Sequence, residues 1–351
     1  MDLSGVELAR AYHAQVVGPL LARRFPGMPY AAALLGSGSE VLGLDDAVSR
    51  DHDWGPRLTL LVPEGDVGRV ERAVEQYLPG SFLGLPTRFA LSGETTDQHR
   101  VEVSSTGGFV RARLGLDPRG GMAAADWLTL TGQAVLEVVA GPVFVDTAGE
   151  VTTVRRLLGS YPEDVRRHLV AVDWARIGEE MPLMSRSGDR GDDLGSRVIA
   201  ARLVDAAVHL AFLLEGRWVP YPKWRGLVLG ELPHTGEVVA TLGGTMTAPA
   251  WRERQDALAR ALGALMDRQA ASGLPTVGPA VVPFWDRPYL HPDPRVVDRV
   301  RACVVDPAVR AWPVRRGSAE QLATDVGLLG DPRARRRLVE LTDGGLDGPG
   351  R

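Results

Sequence analysis

The chain of 351 residues has 44% hydrophobic and 24% charged residues and a formal net charge of −4, the balance of a soluble globular protein with length for about two domains. That charge excludes a surface built mainly to grip nucleic acid, which needs a strongly basic stripe, and the single cysteine, Cys303, excludes an internal disulfide and fits a reducing cytoplasm. No apolar run approaches the roughly 20 residues that span a bilayer, so a cytoplasmic protein without a membrane partner is expected.

Leu3, Val6, Leu8, Tyr12, Val16 and Leu20 recur at helical spacing with Glu7 and Arg10 between them. They predict an amphipathic helix over 3–24, not a signal peptide, ended by Pro26-Gly27-Met28-Pro29. Ala31 to Leu35 reads as a short strand leading into Gly36-Ser37-Gly38-Ser39. Residues 51–62 read as the next strand. Residues 66–78, with Val67, Val70, Val74 and Leu78 at three- and four-residue steps, read as a helix. His99 to Ser104 alternates as a strand, with Glu102 on the face opposite Val101 and Val103. Residues 126–139 read as helical and Val143-Phe144-Val145 as a closing strand.

Beyond residue 151 the strand signals fade. Residues 151–158, 162–178, 194–216, 250–271, 294–304 and 318–328 carry helical periodicity. The 272–294 link, with six prolines, reads as an extended loop. Arg333, Arg335, Arg336 and Arg337 read as a solvated helix face, and the tail 344–351 as disordered. The expected fold is an α+β domain with a mixed sheet over 1–150, followed by an all-α helical bundle over 151–343.

The chemistry is concentrated in the first of these domains. Asp51 and Asp53 follow Gly38-Ser39 after eleven intervening residues. Along a strand, residues i and i+2 share a face, so the two carboxylates project together while His52, read as a core histidine, and Trp54 turn away. Paired carboxylates at a sheet edge suit Mg²⁺, a hard cation that takes oxygen ligands and shares them with phosphates. The Gly/Ser turn offers backbone N–H groups and a hydroxyl that can approach a triphosphate closely. Gly36-Ser37, thirteen residues before Asp51, fits the same role. Asp45 and Asp46 read as loop-ordering residues. Arg57, after Gly55-Pro56, is a candidate phosphate partner, with a structural ion pair as the equal alternative.

A Gly-Ser pair, a spacer and Asp-x-Asp resemble the signature of the nucleotidyltransferase superfamily. The fuller set resembles one branch of it, the domain of unknown function 4037, whose kin include the aminoglycoside adenylyltransferases. That set comprises Gly36 to Gly43, Asp45-Asp46, Ser49 to Arg57, Asp192 to Ser196 and Pro220-Tyr221-Pro222-Lys223-Trp224. The resemblance implies that residues 1–150 are the catalytic domain and that the helical domain selects the acceptor. It implies Asp51 and Asp53 as ligands of Mg²⁺, two ions being expected. Glu102 then completes the set as a third ligand, as the general base for the acceptor hydroxyl, or as both. Ser37, Gly38 and Ser39 would cradle the triphosphate, Gly38-Ser39 being preferred for its shorter spacing. ATP or another nucleoside triphosphate is the expected co-substrate.

Of the 40 basic residues one alone is a lysine, Lys223. It stands in the Pro-Tyr-Pro-Lys-Trp motif, where a compact ammonium can meet phosphate, and Tyr221 is its candidate companion in nucleotide binding. Asp189, Asp192 and Asp193, with Glu179 and Glu180 nearby, either complement a helix dipole or recognise a cationic acceptor. Arg202 and His209 resemble weakly the Arg-x-His pattern of helical-bundle RNases. The reading is a Mg²⁺-dependent transfer of a nucleoside monophosphate onto a hydroxyl of a small molecule such as an amino sugar. Nucleotidylation of a protein or RNA, and a catalytically silent nucleotide-binding regulator, stand as alternatives. Sequence leaves the acceptor, the base preference and the oligomeric state open.

Overall fold

Ser4 begins the first helix of the computed structural model, which describes residues 3–46, 48–50, 54–91 and 95–343. Its hydroxyl accepts from the Glu7 N–H at 3.2 Å, and Glu7 Oε2 accepts from the Ser4 N–H at 2.9 Å. This reciprocal cap satisfies two amides that a helix start leaves without partners. Helix α1 (Gly5–Tyr12) continues through a π turn (His13–Val17) into α2 (Gly18–Arg24). Pro19 has no N–H to give, and the wider π turn carries the chain past it.

The chain divides into two compact units. The first takes the residues up to Gly121 together with Ala134–Gly159. Its centre is a four-stranded mixed sheet of β1 (Ala31–Ala33), β2 (Leu58–Leu61), β3 (Val101–Ser104) and β4 (Val143–Asp146), in the order β3-β2-β1-β4. β1 runs antiparallel to β2 and β4, while β2 and β3 run parallel with Thr59 opposite Glu102. Leu8, Tyr12, Val17, Leu20 and Leu21 bury one helical face in a core with Leu58, Leu60, Val62 and Val101. Val70 and Val74 of α3 (Val67–Tyr77) join it. Fully burying one such side chain contributes about 1.5–3 kcal/mol, so this core sets the sheet's position.

One local reading needs correction, and one stretch is filled in. Of the strand expected over 51–62, the described residues 54–57 are bent at Gly55 and Pro56 and β2 runs Leu58–Leu61, while 51–53 lie outside the described residues. A side chain at Gly55 would meet the Phe89 ring at 2.7 Å. Helix α4 (Thr106–Leu114) occupies a stretch to which the sequence reading assigns no element. The Ser105 hydroxyl caps it by accepting from the Gly108 N–H at 3.0 Å. Helix α5 (Gly132–Val139) and α6 (Glu150–Leu157) follow. Val151 and Val154 of α6 are buried, and the first unit closes after it at Gly159.

The second unit takes residues 122–133 and those from Ser160 onward. Helix α7 (Glu163–Asp189) packs along α8 (Asp193–Leu214). α7 runs eleven residues past its expected end despite Pro182. Met181, Pro182, Met184 and Ser185 are all buried there, and tertiary packing outweighs the lost helical hydrogen bond. Helices α9 (Arg225–Glu231), α10 (Gly236–Thr247) and α11 (Trp251–Ala271) complete the group around them. Gly188 permits the crossing of α7 and α11, since a Cβ there would lie 2.2 Å from the Trp251 Cβ.

The unit is mainly helical, not wholly so. The 272–294 link, expected as an extended loop, carries an antiparallel hairpin, β5 (Val281–Pro283) with β6 (Leu290–Pro292). Its prolines sit at strand ends, where a missing donor is tolerated. Gln255 anchors it by accepting from the Leu290 N–H at 3.0 Å.

Candidate active site

The Gly/Ser turn leaves β1 at Leu34, and the residues around it dictate its course. The Leu34 N–H donates to the Pro142 carbonyl at 3.0 Å and the Gly36 N–H to the Glu137 carbonyl at 2.8 Å. Gly141 is essential to this contact, because a Cβ there would lie 1.8 Å from the Leu34 carbonyl oxygen. Gly36 and Gly38 take φ of 89° and 135°, which side chains rarely adopt. A Cβ at Gly38 would also fall 2.5–2.7 Å from the Glu40 carboxylate. Ser37 and Gly38 are exposed, while Glu40 is buried beneath them.

Arg57 answers that buried charge. Its Nη1 donates to Glu40 Oε1 at 2.6 Å and its Nη2 to the Ser37 carbonyl at 2.7 Å. Buried carboxylates require such pairing. The ion pair weighed for Arg57 is thus present, and through it Arg57 shapes the turn. The Ser37 hydroxyl makes no hydrogen bond among the described residues and stays available at the surface.

Glu102 lies as expected on β3, with Val101 buried beside it and its own side chain 47% exposed. Its carboxylate is held by a two-pronged contact from α4. Arg113 Nη2 donates to Oε2 at 2.9 Å and Nη1 to Oε1 at 3.2 Å. The same guanidinium lies 3.5 Å from Glu137 Oε2 and 3.5 Å from the centre of the Phe109 ring. A Cβ on Gly36 would sit 3.1 Å from Arg113 Nη2. The Gly/Ser turn, Arg57 and Glu102 thus gather at one edge of the sheet. Arg57, Thr59, Glu102, Leu34 and Leu35 line a cavity of about 540 Å³, to which Glu71, Glu75 and His99 also contribute. Burial holds the His99 imidazole below its ordinary pKa.

Asp51 and Asp53 lie outside the described residues. Among the described residues no group of three His, Cys, Asp or Glu side chains is placed to hold a metal ion. What Glu102 offers such an ion is a hard oxygen donor at a half-exposed sheet edge, which suits Mg²⁺ chemically.

In the second unit, Lys223 and Tyr221 are both exposed. Lys223 Nζ lies 4.7 Å from the Trp224 ring centre and has no ion-pair partner among the described residues. The Tyr221 N–H donates to Gln133 Oε1 at 3.1 Å, which fixes the start of the short helical turn Pro222–Trp224.

The acidic segment is largely accounted for by structure. Asp192 caps α8, accepting from the Gly195 N–H at 2.8 Å. Asp193 pairs with Arg254 and Arg197, which hold its carboxyl below the usual range. Asp189 accepts from the Tyr289 hydroxyl at 2.8 Å, and Glu180 pairs with Arg202 at 2.8 Å. The RNase-like lead fails on burial. Arg202 is exposed on Glu180, while His209 is buried with its Nδ1 2.6 Å from Asp173 Oδ2.

Sequence reading missed Glu40, Arg113 and Glu137. Arg113 is one arginine among many, and only the packing of α4 beside the strand it follows, β3, gives it Glu102 as a partner. Glu137 acts partly through its backbone carbonyl, which no side-chain pattern can signal.

No curated protein matches the chain. Among solved structures, a nucleotidyltransferase-like protein from Exiguobacterium sibiricum 255-15 is similar at 14% identity and a TM-score of 0.34. The similarity covers 76% of this chain and 77% of that one. No helix among the described residues is long and apolar enough to cross a membrane. Residues 127–225, which include Tyr221 and Lys223 but not the Gly/Ser turn or Glu102, match the family model described as domain of unknown function 4037, the branch that the sequence motifs resemble.

Proposed function

We propose that the protein is a nucleotidyltransferase that moves a nucleoside monophosphate, AMP from ATP first among them, onto a hydroxyl of a small-molecule acceptor. The observation that carries this reading is the juxtaposition of the Gly36–Ser39 turn, exposed at Ser37 and Gly38, with Glu102, which lines a cavity together with Leu34, Leu35 and Arg57. Phosphoryl-type transfer needs little covalent help, and positioning and charge neutralisation lower its barrier. Mg²⁺, held by Asp51, Asp53 and Glu102, would supply that neutralisation. Ser37, Gly38 and Ser39 receive the triphosphate, Arg57 keeps the turn in shape, and Lys223 with Tyr221 adds a cation and a ring for the nucleotide. The acceptor that the family resemblance implies bears amino groups, and Glu71, Glu75 and Glu102 stand in the cavity lining beside Arg57 and Arg100. Labelled-NTP transfer over the four nucleotides, against amino-sugar and lysate acceptors, tests the reading. Absence of any labelled product would overturn it.

A second reading, a nucleotide-binding regulator without turnover, has one observation in its favour. Arg113 already engages both oxygens of Glu102. Saturable NTP binding without transfer in the same experiment would select it.

A further inference from the structure

We infer that Arg113 is a positioning residue for Glu102, fixing the direction of its carboxylate beside the Gly36 turn. The inference rests on Glu102 being the third carboxylate of the proposed site. A half-exposed glutamate on a strand otherwise samples many rotamers, and ordering it costs free energy. The two-pronged contact removes that freedom, because a planar guanidinium meets a carboxylate in one mutual orientation.

Arg113 can impose this orientation because it is itself held. Its side chain is 16% exposed, lies against the Phe109 ring and donates to the Phe109 carbonyl at 3.4 Å. Glu137 flanks it on the other side. Its neighbour Arg111, two residues earlier on the same helix, is 52% exposed and meets Asp117 only at 3.8 Å. Gly36 completes the arrangement, its bare Cα leaving room for Nη2. One guanidinium shared by two carboxylates leaves a net negative charge at the edge, which favours a cation there. The carboxylate that must meet a metal is thereby braced by a side chain that lies close against the turn that must meet phosphate.

The test uses the full chain and reads Mn²⁺ binding by electron paramagnetic resonance, together with labelled-NTP transfer. Circular dichroism and the thermal midpoint report the fold. Changing a group that orients a metal ligand typically lowers metal affinity or activity by about 10–100-fold, and that loss is expected for Arg113→Gln. Arg113→Lys, which keeps the charge without the fork, should recover little. The double variant Arg113→Gln/Glu102→Gln should bind Mn²⁺ no more weakly than Glu102→Gln alone, whereas a general structural defect would add a further loss. Wild-type Mn²⁺ affinity in both Arg113 variants, with Glu102→Gln impaired, overturns the inference and leaves the functional reading standing. Wild-type Mn²⁺ affinity in Glu102→Gln removes Glu102 as a metal ligand, and the inference with it; wild-type transfer in the same variant would remove it as the general base too. If Arg113→Gln does not fold, Arg113→Lys carries the same decision.

Discussion

Polar side chains do different work in the two units. In the helical unit several are buried together. Arg254 is 0% exposed and bonds Ser196 and Asp193, Trp174 Nε1 donates to Gln269 Oε1 at 2.6 Å, and Asp173 meets His209 with both side chains buried. At the sheet edge of the first unit the buried pair, Glu40 with Arg57, lies underneath, and a half-exposed carboxylate, Glu102, stands above it beside a cavity. Both regions order charges, and the second leaves a carboxylate half-exposed beside a cavity. A buried pair fixes packing, and a braced but open carboxylate can do chemistry.

The largest effect that could break this comparison is on turnover. Asp51→Asn and Asp53→Asn should each lower transfer by roughly 10³-fold or more, as expected for losing several kcal/mol of transition-state charge stabilisation. Their thermal midpoints should stay at the wild-type value, since ligands of an open metal site contribute little to the core. Near-wild-type turnover in either variant would remove the metal assignment.

In the helical unit the same kind of substitution should act on stability instead. Asp173→Ala strips the partner from buried His209 and should cost about 3–5 kcal/mol in urea unfolding. Glu102→Gln, with its half-exposed side chain, should change stability by less than about 0.5 kcal/mol. Equal stability losses in the two variants would erase the distinction between them.

Much of this was legible in the sequence, and the exceptions have physical causes. β3 follows from a period-2 pattern, β1 and β4 from short apolar runs between turn residues, and the long helices from period-3.6 patterns, which is why Val101, Val70 and Leu210 are buried as the patterns require. Glu102 could be placed opposite Val101 for the same reason. Helix α4 was hidden because glycine pairs read as turns, and only the Ser105 cap makes one a helix start. The hairpin at 281–292 was hidden because its prolines mark strand ends as readily as loops. Arg57 and Arg113 could not be assigned partners from sequence, because an arginine's partner depends on which strands meet, and no local pattern encodes that.

Two buried histidines of the helical unit sharpen the comparison by pH. Burial, assisted by Arg301 and Arg316, pushes His168 down to about 4, although its Nε2 lies 2.7 Å from the Arg316 carbonyl. A histidine whose folded pKa lies below the unfolded value of roughly 6.5 binds fewer protons when folded. Its stability contribution is complete above pH 6.5 and is lost as pH falls towards 4, by about 3 kcal/mol at most. His209 behaves oppositely. Burial opposes its charge, but Asp173 outweighs burial and holds the imidazole above its ordinary value. Its contribution is complete below the unfolded pKa and is lost as pH rises through the folded one. Urea midpoints measured from pH 4 to 9 should therefore show His168→Gln flattening the acid limb and His209→Gln the alkaline limb. Limbs unchanged by either variant would contradict both environments.

Lys223 combines a small effect on stability with a diagnostic one on function. The side chain is exposed, and its recorded contact is the face of Trp224 at 4.7 Å. Exposed cation–π contacts contribute about 0.5–1 kcal/mol, so Lys223→Ala should shift the thermal midpoint by little. If its ammonium meets the triphosphate as charge builds on the leaving pyrophosphate, the interaction is stronger in the transition state than in the ground state. Lys223→Ala should then lower the rate of transfer more than it weakens ATP binding. Lys223→Arg should recover only part of it, because a guanidinium is wider and differently hydrated. As the chain's lone lysine, Lys223 shares amine-directed acylation with the N-terminus alone, so mass spectrometry can follow its protection directly. Mg·ATP should slow acylation of Lys223 and leave that of the N-terminus unchanged. Equal acylation of Lys223 with and without Mg·ATP would take the lysine out of the nucleotide site, leaving its place in the Pro-Tyr-Pro-Lys-Trp turn as its whole role.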